Sequence, residues 1–132
     1  MTNKDIVKTW YAALELNDFD TIKNLMDREY RFRNPMSPTP IGAEEHLALM
    51  NTMKSTFDAR HTFDVFIEEE NHVAVSGKWS AIHIGDFNGV PATGKLVELN
   101  LIDIFNIVDG KVLNHHIEFN PMLIMGQIGA PI

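Results

Sequence analysis

The sequence contains no cysteine. That removes disulfides, thiol nucleophiles and thiolate zinc sites, and makes a reducing, cytoplasmic setting the easier expectation. Basic residues are scarce: 11 Lys and Arg stand against 18 Asp and Glu, a formal net charge of −7 with the histidines neutral. A surface of that sign repels phosphate backbones and anionic lipid, so neither nucleic acid nor a membrane is expected as a partner. Aromatics make up only 9% of the chain, and no apolar run approaches membrane-spanning length. The stretch from Met1 to Trp10 is polar, with Lys4 and Lys8, and nothing after it reads as a signal peptide. What the chain does have is 45% hydrophobic residues, six histidines and seven methionines in 132 residues. That suffices for one globular domain over residues 1–132 and is too little for two.

Along the chain, the hydrophobic period changes once. Ile6, Val7, Trp10, Ala13 and Leu14 recur at helical spacing, and Asn17-Asp18 suits a helix end followed by a new N-cap. Phe19, Ile22, Leu25 and Met26 predict a short second helix, and Leu47, Met50, Met53 and Phe57 a third of about four turns. Between these two, Tyr30, Phe32 and Asn34 alternate with arginines as a short strand ended by Pro35. From Arg60 onward the period is two: 60–69, 73–84, 96–108 and 112–119 read as strands, the last two joined by an Asp109-Gly110 hairpin turn. Asn120-Pro121 predicts the start of a short C-terminal helix. Helices first and an antiparallel sheet afterwards is an α+β arrangement, with three N-terminal helices covering one sheet face.

Strand parity then isolates the polar groups, because residues two apart share a face. The row Val97, Leu99, Leu101, Asp103, Phe105, Ile107 carries one carboxylate among apolar side chains. Such a group must be paired, hydrogen-bonded or protonated. The row Leu113, His115, Ile117, Phe119 carries one histidine, and Val73, Val75, Gly77, Trp79, Ala81, His83 another. Asp103 with His115 or His83 could form an acid/base pair, or a structural hydrogen bond closing the core. The three could also make a two-histidine, one-carboxylate metal set, but only their number favours it, so no metal or other cofactor is expected. The opposite rows, with Ile102, Ile104, Asn114 and His116, read as a half-apolar outer face suited to a homodimer.

Several motifs occur in one order: Trp10-Tyr11-Ala12-Ala13-Leu14 with Asn17-Asp18-Phe19-Asp20, then Asn34-Pro35, Gly42, the stretch Ile82 to Lys95, Asp103 to Lys111, and Gln127-Ile128-Gly129-Ala130-Pro131. In that order the chain resembles the SnoaL-like polyketide cyclase branch of the nuclear-transport-factor-2-like superfamily. The resemblance implies a cone-shaped curved sheet, antiparallel or mixed, closed by helices around an apolar pocket, and dimers packed through the sheet. It also implies ring closure by an intramolecular aldol step, with a carboxylate on the last strand moving the proton. That position here holds Ile117, which cannot transfer a proton. An aspartate at the place of Asp103 is similar to the ketosteroid isomerases, whose base and tyrosine positions are held here by Asn34 and Trp10.

The pocket expected from these readings contains Trp10, Asn34, Trp79, His83, Asp103, His115, Ile117 and Phe119. It would take a hydrophobic small molecule. One reading is an isomerase or lyase acting on an apolar carbonyl compound, with Asp103 and His115 or His83 as acid and base and Asn34 holding an oxygen. A second is a binding protein without catalysis, and a third keeps only the dimer.

Overall fold

A computed structural model describes residues 1–130. The elements run α1 (Asn3–Glu15), α2 (Phe19–Leu25), β1 (Met26–Arg33), α3 (Ala43–Thr56), β2 (Phe57–Glu69), β3 (His72–His83), β4 (Leu96–Val108), β5 (Lys111–Glu118) and α4 (Pro121–Ile128). Helix α1 opens on a capping box: Thr2 accepts from the Asp5 amide while the Asp5 carboxylate accepts from the Thr2 amide. It ends where Asn17 turns into the left-handed region, and Asp18 caps α2 by accepting from Thr21 N–H. Asn120 caps α4 in the same way, with Pro121 in its first turn as expected.

The strands form one five-stranded mixed sheet, order β1-β5-β4-β3-β2, with β1 parallel to β5 and the other neighbours antiparallel. The sheet is not closed. Its curvature has visible causes. Strand β2 bulges between Phe63 and Val65 opposite Gly77, and a bulge bends the strand that carries it. Gly77 is required there, since a Cβ would lie 2.3 Å from the Thr62 carbonyl oxygen. At the β4–β5 turn, Asp109 and Gly110 both take positive φ, the two-residue hairpin that the dipeptide predicts.

Three sequence expectations need correction. Met26 and Phe57 are not the last inward residues of α2 and α3 but the first residues of β1 and β2. Each follows its helix with no loop, so an apolar side chain continues the helical stripe while its backbone is already extended. In β5 the inward row begins at Val112, which is fully buried, and not at Leu113. An irregularity between Asn106 and Ile107 pairs Ile107 with Val112 and Asn106 with Asn114, so Leu113 is the extra residue and parity flips across it.

The inner sheet face carries two apolar clusters. The larger joins α1 and β1 to the start of β3 and the end of β4, and includes Trp10, Tyr30, Val75 and Phe105. The smaller joins Phe57, Phe87, Val97 and Leu99 to Ile124 and Ile128 of α4.

Candidate active site

Between the two clusters lies a cavity of about 830 Å³, within the usual size of a small-molecule site, about 300–1,000 Å³. Phe32, Met50, Met53, Phe57, Trp79, Phe87, Ile117, Phe119 and Ile124 supply its apolar walls. Asn34 and Ser37 approach from the end of β1, His46 from α3, and Glu15, Arg60 and His61 from the far side. Of the residues expected from the sequence, Asn34, Trp79, Ile117 and Phe119 line this space. Asn34 is partly committed: its Oδ1 accepts from Met36 N–H at 2.8 Å and its Nδ2 donates to Ser37 Oγ at 3.2 Å. One amide hydrogen remains for another acceptor.

Trp10 is buried away from the cavity. Its ring lies on Tyr30 at 5.8 Å and edge-on to Phe105 and His115 at 5.7 and 5.5 Å. It fixes those rings and does not line the cavity itself.

His83 is also displaced from the expected site. It is fully buried at the far end of β3, opposite Phe57, while the β3 partner of Asp103 is Val75. Eight residues of strand separate those two levels, roughly 26 Å. Parity puts His83 on the inner face but says nothing about its height along the strand. His83 therefore pairs with neither Asp103 nor His115, and the three form no metal set. Its Nδ1 accepts from Thr93 N–H at 3.3 Å and faces Thr93 Oγ1 at 2.9 Å, which ties down the glycine-rich loop between β3 and β4. Among the described residues, no group of three potential ligands is placed to hold a metal ion.

Asp103 and His115 do come together. Asp103 is 0% exposed and His115 5%, with His115 Nε2 at 3.5 Å from Asp103 Oδ1. That distance allows an ion pair, but the alignment is not that of a hydrogen bond. Both carboxylate oxygens and Nε2 are left without a hydrogen-bond partner among the described residues. Burying a carboxylate in this way costs several kcal/mol. Neither residue lines the cavity. Ile117, which does, is the register partner of Asp103 on β5. The carboxylate thus sits at the level of Ile117 and one strand across.

Two residues connect this pair to the cavity. His115 Nδ1 is 3.3 Å from Tyr30 Oη, and Tyr30 Oη is 2.8 Å from His46 Nδ1. The His46 ring is stacked on Phe32 at 3.6 Å and lines the cavity. Burial, with His115 nearby, holds His46 well below the ordinary histidine value, so its imidazole is neutral at pH 7. Burial likewise pushes the Tyr30 phenol well above its ordinary value, so it keeps its proton. On the far side, Glu15 holds both the backbone N–H and the Nδ1 of His61. Burial lowers the pKa of His61 even though Glu15 opposes it.

The sequence reading missed His46 and His61. A signal for each was present: His46 precedes Met50 and Met53 by four and seven, on the same helical stripe, and His61 shares strand parity with Phe57 and Phe63.

A family model for SnoaL-like polyketide cyclase matches residues 4–128. The aklanonic acid methyl ester cyclase DnrD of Streptomyces peucetius is 26% identical over 134 residues, covering 98% of this chain and 92% of that protein. The structure of TsrD from Streptomyces laurentii superposes with a TM-score of 0.82 at 28% identity, covering 97% of this chain and 95% of that one. An NTF2-like protein from Burkholderia pseudomallei shares the fold at a TM-score of 0.83 and 20% identity, over 98% of this chain and 99% of that one.

Proposed function

The chain belongs to the SnoaL-like polyketide cyclase family, and from that premise we propose that it is an acid–base enzyme of the isomerase or lyase type. Its substrate is a hydrophobic, polyketide-like carbonyl compound held in the 830 Å³ cavity. The observation that carries this reading is the orphaned Asp103–His115 pair, fully interior and connected through Tyr30 to a cavity-lining histidine. An interior carboxylate with no hydrogen bond opposes folding, and such groups cluster where chemistry needs them. The relative named for aklanonic acid methyl ester cyclisation supports a carbonyl substrate. Asn34, with an amide hydrogen to spare, holds a substrate oxygen.

The test is a screen of hydrophobic ketones and polyketide-like aromatics for binding and turnover. Asp103→Asn should lower turnover about 100-fold or more while the ligand still binds. Unchanged turnover and affinity in that variant would sink the proposal. A second reading, binding without catalysis, is favoured by one feature: the wall position of the expected carboxylate is Ile117. Tight binding with no turnover by the unmodified protein from about pH 5 to 9, the span over which histidine and perturbed carboxyl groups titrate, would decide for it.

We also propose that the protein acts as a cytoplasmic homodimer packed through the outer sheet face. Ile67 is exposed there on β2 and Ile102 and Ile104 on β4, with Ala74 of β3 in register between Ile67 and Ile104. Sedimentation of the unmodified protein and of Ile104→Lys tests this, the variant being expected to dissociate.

A further inference from the structure

His46 lines the cavity, and among the described residues a side chain engages one of its two ring nitrogens and not the other. His46 Nδ1 meets Tyr30 Oη at 2.8 Å, whereas no side-chain hydrogen bond reaches its Nε2 among the described residues. Behind it, two further contacts lead inward: Tyr30 Oη to His115 Nδ1 at 3.3 Å, then His115 Nε2 to Asp103 Oδ1 at 3.5 Å. Every member can both give and accept a proton, since imidazole, phenol and carboxyl each change roles at a single atom or across the ring. The chain ends on Asp103, whose oxygens have no hydrogen-bond partner among the described residues and stand within ion-pair distance of His115 Nε2.

We propose that His46 is the residue that takes a proton from, and returns it to, the bound substrate, and that Tyr30, His115 and Asp103 form a relay that stores it in the protein interior. The proposal rests on the acid–base reading of the cavity given above and assigns its chemistry to a residue outside the Asp103–His115 pair.

His46 Nε2 removes a proton from the carbon next to the substrate carbonyl. The C–H electron pair becomes the C=C bond of an enolate, and the carbonyl π pair moves onto oxygen. His46 passes its Nδ1 proton to Tyr30 Oη, Tyr30 passes its own to His115 Nδ1, and His115 passes the Nε2 proton to the Asp103 carboxylate. One proton has left the substrate carbon and one has reached Asp103, with no change of oxidation state. Reversing the chain delivers the proton to oxygen or to a different carbon. His46 touches substrate and is the catalytic residue; the other three act through it as positioning and relay groups. The fixed geometry is provided by packing. Phe32 stacks on His46, Phe105 stacks on His115 at 4.0 Å, and Trp10 closes against Tyr30 and His115. The His46, Tyr30 and His115 rings held this way do not need to reorganise as the proton moves, and only the last contact, His115 to Asp103, has to come into line.

The experiment uses 2-tetralone, a hydrophobic ketone with acidic α-hydrogens, and 2-naphthol, which mimics its enol. Deuterium uptake by 2-tetralone in heavy water is followed by NMR for the unmodified protein, His46→Asn and Tyr30→Phe. Asparagine at 46 keeps a partner for Tyr30 but removes the nitrogen facing the cavity. Expected are catalysed exchange by the unmodified protein and a loss of about 100-fold or more in kcat, with KM retained, in both His46→Asn and Tyr30→Phe. Exchange undiminished in His46→Asn overturns the assignment while leaving the enzyme reading intact. No binding or exchange by the unmodified protein instead counts against the enzyme reading, and the assignment falls with it.

A second readout separates a relay from a scaffold. In protein labelled with nitrogen-15 at histidine, 2-naphthol should shift the ring nitrogens of both His46 and His115, although His115 does not line the cavity. In Tyr30→Phe only His46 should respond. A silent His115 in the unmodified protein, or a response that survives Tyr30→Phe, overturns the relay.

Discussion

At one end of the inner sheet face, Trp10, Tyr30, Phe105 and His115 fill the space ring against ring. At the other end, Phe57, Trp79 and Phe119 stand around open volume, with Phe87 and Ile124 on the opposite side. The two regions use the same strands, β3, β4 and β5, and the same kinds of side chain. They differ in what the helices bring to them. Helix α1 inserts its tryptophan into the first region, whereas over the second α3 presents Met50, Met53 and Thr56 without closing the gap. The buried ionisable groups Asp103, His115 and Tyr30 sit in the packed end, and the space for a ligand sits beyond it. Packing gives each polar group a single rotamer, which is what precise chemistry needs. The cavity supplies apolar contact, which is what binding a hydrophobic ligand needs. His46 belongs to both: it lines the cavity, and its Nδ1 meets Tyr30 of the packed end.

The largest expected effect tests the packed end directly. Trp10→Ala should cost about 3–5 kcal/mol in denaturant unfolding, as for other large aromatic truncations in a dense core. Phe87→Ala, beside space that is already open, should cost clearly less. Equal costs at the two sites would break the contrast. Next comes Ile117→Asp, which restores a carboxylate to the wall. It stands directly opposite Asp103 across the β4–β5 pair, and like charges opposite one another in a buried ladder repel. A loss of about 2–3 kcal/mol is expected, measured by the same unfolding curves. Combining it with Asp103→Leu should recover part of that loss.

The pH dependence is smaller per unit. His46 and His61 have folded values below their unfolded value of 6.5. As pH falls through that value the unfolded chain takes up protons that the folded chain does not. Stability is therefore full above about 6.5 and lost below it, by up to about 1.4 kcal/mol per pH unit for each histidine. The groups against His46 are Tyr30 and His115, together with the Phe32 and Trp10 rings. His46→Asn should flatten the acid side of a stability–pH profile, measured by unfolding at successive pH values. An unchanged slope would mean that His46 stays accessible to protons in the folded protein.

How much of this was legible in the sequence follows from what each signal encodes. Parity identified the inner face of β4 without error, and so picked out Asp103 as a lone carboxylate among Val97, Leu99, Leu101, Phe105 and Ile107. Parity failed in β5 at Leu113, because a bulge adds a residue without any change in composition. It misled at His83 in another way. Face is a property of one strand, but level is set by pairing, and the loop from Ile84 to Lys95 is too long to set the register of β3 against β4 from its own sequence. The contact between His115 and Asp103 does not follow from the two-residue turn alone: a regular hairpin from Val108–Lys111 would set Asp103 against His116, and it is the extra residue at Leu113 that turns His115 to the inner face. Tyr30, His46 and His61 come from separate elements, and only tertiary packing makes them neighbours of the site.

The smallest change in stability should accompany a large change in function, at Asp103. Asparagine occupies the same volume, so Asp103→Asn opens no cavity and moves no neighbour. It removes a buried group that can carry a charge and replaces it with an amide able to donate to His115 Nε2. Folding stability should stay level or rise by up to about 1 kcal/mol, because the carboxylate has no hydrogen bond among the described residues to lose. Proton transfer should nevertheless fail, since an amide cannot accept the proton that the relay delivers. Paired measurements of unfolding and of deuterium exchange into 2-tetralone make the two outcomes separable. A stability loss above about 2 kcal/mol would assign Asp103 to holding the packed end together, as the removal of one partner from a working buried pair does. A neutral or raised stability with exchange abolished places its cost in the folded protein and its use in the cavity.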